Sequence, residues 1–170
     1  KGDAAAMGMG GPFLSVPKQT QREYEIAEGI ETVHATLEQE TKVRQAVADL
    51  PLVKPMTQIT GISSSFGYRK DPLRLSLAFH GGIDFKGIYA APVLATSNGQ
   101  VTWAGPHGPY GNLVEIFHDN GVSTRYGHLK SVNVSLGQKI SRGDLVGWMG
   151  STGRSTGPHL HYETRVNGRV

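Results

Sequence analysis

With no cysteine among its 170 residues, the chain can form no disulfide, no thiolate metal site and no cysteine nucleophile. A net charge of +3 without a run of Lys and Arg gives no footing for nucleic-acid binding. The 23 glycines, well above the usual share of about 7%, point to a turn-rich β protein rather than a helical bundle, one ordinary domain with an appendage.

Residues 1–18 are rich in Gly, Ala and Met without periodicity and read as a flexible arm. Thr20-Gln21-Arg22-Glu23 then matches a capping box, in which the Thr hydroxyl and Glu carboxylate satisfy free amides at a helix start. The apolar positions that follow, Ile26, Ile30, Val33 and Leu37, are spaced 4-3-4, and the stripe resumes at Val43, Val47 and Leu50 before Pro51 stops it. This predicts one amphipathic helix over 19–50, either a single helix lying on the domain or the end of a coiled coil, with His34 solvated. The segment carries three basic and seven acidic residues, whereas 57–170 carries eleven basic and six acidic, so the two parts differ in sign. That contrast raises self-association or docking of the helix on the remaining domain. Residues 51–56 read as a short linker.

From Thr57 the pattern changes to short apolar runs divided by Gly and Asn/Asp turns. Asn98-Gly99 between Leu94–Thr96 and Gln100–Trp103, and Asp119-Asn120-Gly121 between Leu113–Phe117 and Val122–Tyr126, read as hairpin turns. Leu145–Trp148 and His159–Val166 are further strands, the last turning at Asn167-Gly168. Strands at this spacing without a convincing helix predict a mainly β fold, a compact antiparallel sheet domain over 57–170.

Three motifs in that domain carry chemistry. In Gly157-Pro158-His159-Leu160-His161-Tyr162-Glu163 the two histidines, two apart on an extended chain, project from one face. In His80-Gly81-Gly82-Ile83-Asp84 the paired glycines argue for a turn that brings an imidazole and a carboxylate to one point. Tyr126-Gly127-His128-Leu129 adds a fifth candidate at a strand end. Gly150–Gly157 lacks a Gly-Lys-Ser/Thr ending and leads into a strand, so it is no phosphate cradle. Five ligands exceed what a catalytic zinc needs, since such an ion keeps three protein ligands and one open position. A closed structural zinc held by His80, Asp84, His159 and His161 stays open on spacing alone. A cupin-like site is disfavoured because there the His-x-His pair comes first. His107 reads as a solvated loop residue and His118 as a surface residue at a hairpin end.

These three motifs in this order resemble the lysostaphin-type (LytM-like, M23) zinc endopeptidases that cut peptidoglycan. Ser65-Phe66-Gly67-Tyr68-Arg69, Ala91-Pro92-Val93, Tyr110-Gly111-Asn112 and Gly150-Ser151-Thr152-Gly153 support the likeness, which covers roughly 57–170. The resemblance implies that His80, Asp84 and His161 hold one zinc ion and that His128 and His159 act beside it. It also implies a zinc-bound water as nucleophile, and Asn112 and Ser155 as substrate contacts. The implied partner is the peptide cross-link of peptidoglycan, with no nucleic acid, and the implied location is the cell envelope. A periplasmic placement in a Gram-negative cell is expected, with a membrane anchor in an N-terminal segment absent from this sequence. The competing reading is a non-catalytic LytM-like activator or scaffold for other wall hydrolases.

Overall fold

The computed structural model describes residues 15–119 and 121–170, so most of the arm expected over 1–18 lies outside the described residues. The chain divides into two units, 1–44 and 45–170.

A 31-residue helix, α1 (Lys18–Ala48), makes up the described part of the first unit and runs four residues into the second. Its first turn begins before Thr20: the Gln21 amide reaches the Pro17 carbonyl at 3.1 Å. Proline suits a helix start because it needs no amide partner there, and the Thr20–Glu23 pair therefore sits inside the helix rather than capping it. Ile26, Ile30, Val33 and Leu37 are each more than half exposed.

Among its described residues the second unit has eleven antiparallel strands: β1 (Gly61–Ser64), β2 (Gly67–Lys70), β3 (Leu77–His80), β4 (Ile83–Lys86), β5 (Pro92–Leu94), β6 (Gly99–Pro106), β7 (Asn112–Phe117), β8 (Val122–Val132), β9 (Lys139–Ile140), β10 (Leu145–Met149) and β11 (Leu160–Val166). Among the described residues, nine of them form one sheet ordered β1-β4-β11-β8-β7-β6-β9, with β10 pairing both β8 and β5. β2 and β3 form a separate hairpin. The mainly β, LytM-like fold expected from the sequence is the one observed. Val93, Val101, Val114, Ile116, Leu129, Val146, Met149 and Leu160 fill the core at 0–1% exposure, each such side chain contributing about 1.5–3 kcal/mol through burial. Pro55 and Met56, from the segment read as a linker, are buried too, and the Pro55 carbonyl accepts the Leu94 amide.

One turn is not what its residues suggest. Asn98-Gly99 precedes β6 but joins no hairpin, because β5 pairs with β10 while β6 pairs with β7 and β9. Tertiary contacts decide it. Asn98 gives its carbonyl to the His118 ring and its side-chain oxygen to the Arg142 amide, and a Cβ at residue 99 would collide with the Phe117 carbonyl. By contrast β7 and β8, which flank Asp119-Asn120-Gly121, do pair, with the His118 amide bonded to the Val122 carbonyl at 2.8 Å, while Asn120 itself lies outside the described residues.

Candidate metal centre

β4, β11 and β8 lie side by side, and one row across them begins the site. Asp84 stands opposite His161, and His161 opposite Gly127, so the carboxylate and the imidazole leave the same face of the sheet as nearest neighbours. His80 enters from the separate hairpin at the end of β3, and Gly81-Gly82 swing the chain from there into β4. Gly82 has no alternative at this point: a Cβ would lie 2.5 Å from the Tyr162 carbonyl oxygen and 2.8 Å from His161 Cε1.

His128 reaches the same place by a different device. On β8 it follows Gly127, so strict alternation would send its side chain to the opposite face from His161. Instead its φ is +58°, in the left-handed region, and the register slips against both β7 and β10 around it. A bulge of this kind re-aims a side chain, and the His128 ring comes within 5.8 Å of the His161 ring. His159 precedes β11 by one residue, bridged to Gly150. Its ring packs edge-on to that of His128 at 4.8 Å.

Three donor atoms converge. Asp84 Oδ1 is 3.0 Å from His80 Nε2 and 2.8 Å from His161 Nδ1, and those two nitrogens are 3.1 Å apart. All three residues are buried. The outward nitrogens are spoken for. His80 Nδ1 donates to the Ser65 carbonyl at 2.8 Å, and His161 Nε2 lies 3.0 Å from Glu163 Oε1. His159 Nε2 stands farther off, 3.7 Å from Asp84 Oδ1. Its Nδ1 donates to the Gly157 carbonyl, as that of His128 does to Thr152, each at 2.8 Å. Both of these rings therefore turn Nε2 inward. Two nitrogens and one carboxylate oxygen, without sulfur, suit zinc with a position left open.

Burial acts to raise the Asp84 pKa, but hydrogen bonds from the His161 and His80 rings prevail and hold it low. His161 is opposed by burial yet raised to about 9 by its hydrogen bonds to Asp84 and Glu163. Burial pushes His128 down to about 4 despite its bond to Thr152, which leaves a neutral ring at pH 7. Glu163 is held at about 2 against burial by His161, Tyr110 and Arg165.

The cluster opens into a groove of about 470 Å³. Arg69, Leu73, Phe79, Tyr110, Arg154 and Ser155 are among the residues that line it. Arg154 is held in place by two hydrogen bonds of 2.6 and 2.7 Å to the Asp71 carboxylate. Ser155 bonds within its own loop to the Gly157 carbonyl and stands 3.3 Å from His159 Nδ1. Asn112 is not in the groove lining: its amide donates to the Leu129 and Lys130 carbonyls.

The structure thus brings together His80, Asp84, His128, His159, His161 and Ser155, and leaves Asn112 aside. Sequence reasoning missed Glu163, which the same two-residue spacing that links His159 and His161 could have found. It also passed over Arg69 and Tyr110 as mere supporting matches. Asp71 and Arg154, 83 residues apart, gave no signal. His118, expected at the surface, is 1% exposed and bonded to the Asn98 carbonyl and Thr124.

An antiparallel sheet that presents such a donor set in an open groove has the architecture of a LytM-like peptidase domain. The model of peptidase family M23 matches residues 78–170, more than half of the chain, and the chain belongs to that family. Over 110 residues it is 48% identical to the DD-carboxypeptidase/endopeptidase Mpg of Neisseria meningitidis, covering 65% of this chain and 25% of that protein. The peptidoglycan DD-endopeptidase ShyA of Vibrio cholerae is 46% identical over 109 residues, covering 64% and 25% respectively. The chain spans about a quarter of the length of these relatives. Among solved structures, a zinc-containing peptidase from Vibrio cholerae superposes with a TM-score of 0.61 at 39% identity, over 65% of this chain and 35% of that one.

Proposed function

We propose that this domain is a zinc-dependent endopeptidase that hydrolyses peptide cross-links of bacterial peptidoglycan. The observation that carries the reading is the convergence of His80 Nε2, Asp84 Oδ1 and His161 Nδ1 beside two further imidazoles whose inward nitrogens are uncommitted to backbone. The similarity to the peptidoglycan DD-endopeptidase ShyA supports peptidoglycan as the substrate. His80, Asp84 and His161 would hold the ion. When bound, zinc supplies a Lewis acid for the scissile carbonyl and makes hydroxide available near neutrality.

The remaining chemistry belongs to the protein. His128, neutral with Nδ1–H anchored on Thr152, offers Nε2 to take the proton of the attacking water. His159, anchored on Gly157, faces the same space and is suited to hold the developing oxyanion or to protonate the leaving amine. A carbon–oxygen bond forms as the carbon–nitrogen bond breaks, and the proton taken from water is delivered to the departing amine. The ion pair with Asp71 fixes Arg154, a residue of the groove lining, where the peptide would lie.

Location in the cell envelope, and in the periplasm of a Gram-negative cell, follows from where such a substrate lies. Among the described residues no helix is long and apolar enough to cross a membrane. The test is metal content by mass spectrometry of the purified protein together with cleavage of purified peptidoglycan, products read by mass. Zinc at one per chain with release of cross-linked peptides is expected. A zinc-loaded protein inert on every muropeptide would instead favour the activator or scaffold role.

A further inference from the structure

Glu163 is the most heavily bonded acid in the site, and nothing in the hydrolytic chemistry uses it. It follows His161 by two residues on β11, so both side chains leave the same face. It is 3% exposed. Burying a carboxylate costs several kcal/mol unless partners compensate, and three donors meet this one. His161 Nε2 lies 3.0 Å and the Tyr110 hydroxyl 2.8 Å from Oε1, while Arg165 donates to Oε2 at 2.6 Å. Arg165 is itself anchored by two bonds to the Gly168 carbonyl. The carboxylate is fixed from three directions, and the group it addresses is the far nitrogen of His161.

An imidazole can bind metal through either nitrogen, and the hydrogen bond made by the other one decides which. We propose that Glu163 is a positioning residue of the metal centre. It retains the Nε2–H of His161, so that Nδ1, the atom beside His80 Nε2 and Asp84 Oδ1, is the one that binds metal. This inference rests on His80, Asp84 and His161 being the ligands.

The paired glycines of the His80–Asp84 motif acquire a second reason from this arrangement. A Cβ at Gly81 would lie 3.4 Å from Glu163 Oε1, and one at Gly82 would lie 3.0 Å from Glu163 Cγ and 2.8 Å from His161 Cε1. The backbone between two ligands therefore packs directly on the third ligand and its carboxylate. A side chain there would push Glu163 and His161 apart.

The test is zinc affinity, measured on the full chain by competition with a chromophoric chelator. Folding is followed in parallel by urea denaturation. Replacing Glu163 with Ala should weaken zinc binding about 10–100-fold. Glu163→Gln, whose amide oxygen still accepts from Nε2–H, should recover most of that loss. Tyr110→Phe should weaken binding less than Glu163→Ala, since it removes only a support of the carboxylate. Proton–nitrogen correlation spectra of the zinc-loaded wild type should show His161 protonated at Nε2, and in Glu163→Ala that signal should broaden or vanish.

Folded Glu163→Ala and Glu163→Gln that bind zinc within about twofold of wild type would overturn the proposal, as would a zinc-loaded His161 protonated at Nδ1. If Glu163→Ala does not fold, the wild-type spectrum and the affinities of Glu163→Gln and Tyr110→Phe decide. A wild type whose zinc affinity ignores His161→Ala removes the ligand set and the inference together. Tight binding that needs His161 but not Glu163 removes the inference alone.

Discussion

Two buried polar clusters share strands β8 and β11 of this sheet, one around His118 and one around His161, and they are opposites. The His118 ring donates from Nδ1 to the Asn98 carbonyl and meets Thr124 at 2.8 Å. Thr124 continues to the Tyr126 hydroxyl, which meets Thr96, and Thr96 meets the Tyr162 hydroxyl. Among the described residues, each of these side-chain polar atoms has a partner inside the protein. In the metal centre each of the four rings spends one nitrogen on a fixed partner and turns the other toward a shared space. Burial and polarity alike are common to both clusters. What separates the candidate metal centre from the structural network is the set of inward atoms left uncommitted by the surrounding backbone.

The contrast can be broken most sharply by removing one ring from each side. His128→Ala and His159→Ala should each lower kcat on a defined muropeptide by about 10²–10⁴-fold while zinc content stays at the wild-type level. Loss of zinc from His128→Ala would show that the ligand set is wrong. His118→Ala should behave in the reverse way. It opens a cavity and strips partners from Asn98 and Thr124, so unfolding free energy should fall by about 2–4 kcal/mol. Turnover per folded molecule should not change. A drop in kcat without a drop in stability would place His118 in the working site instead. Third in size is Arg154→Ala, which removes the ion pair with Asp71 beside the groove. It should raise KM by less than about tenfold and leave kcat alone. An equal fall in kcat would mean that the pair organises the reacting groups rather than the groove lining.

The two clusters were unequally legible in the sequence, for a physical reason. The metal-facing residues sit in glycine-flanked motifs, because chains that converge on one point must bend sharply and pack backbone against backbone, as Gly82 does against Tyr162. Such constraints are local and leave a local pattern. His118 looks like any polar residue before an Asp and a Gly; only the fold brings Asn98, twenty residues earlier, over its ring. For the same reason Asn98-Gly99 reads as a hairpin turn. The bulge at His128 was equally hidden, since its left-handed backbone falls on a residue other than glycine, where the register slips against β7. Strand alternation was enough to find most of the sheet, and could have found Glu163.

The smallest effect sharpens the comparison further, because it turns the closed cluster into a titration with a defined sign. Burial lowers the pKa of His118 below its ordinary 6.5, against the opposing pull of the Asn98 carbonyl and the Asp119 charge. Between the lowered folded value and 6.5 the unfolded chain therefore binds more protons than the folded one, and stability rises with pH across that window. His118 contributes fully above pH 6.5, and its contribution is lost as pH falls below it. Other groups titrate nearby, so the useful quantity is a difference: urea unfolding of the wild type and of His118→Gln, both from pH 7.5 to 5. Contributions common to the two proteins cancel to the extent that the sites are independent. The stability gap between them should narrow as pH drops below 6.5, because the wild type alone must then hold a ring that prefers to charge. A gap that stays constant over the whole range would mean that His118 is not held neutral in the folded protein.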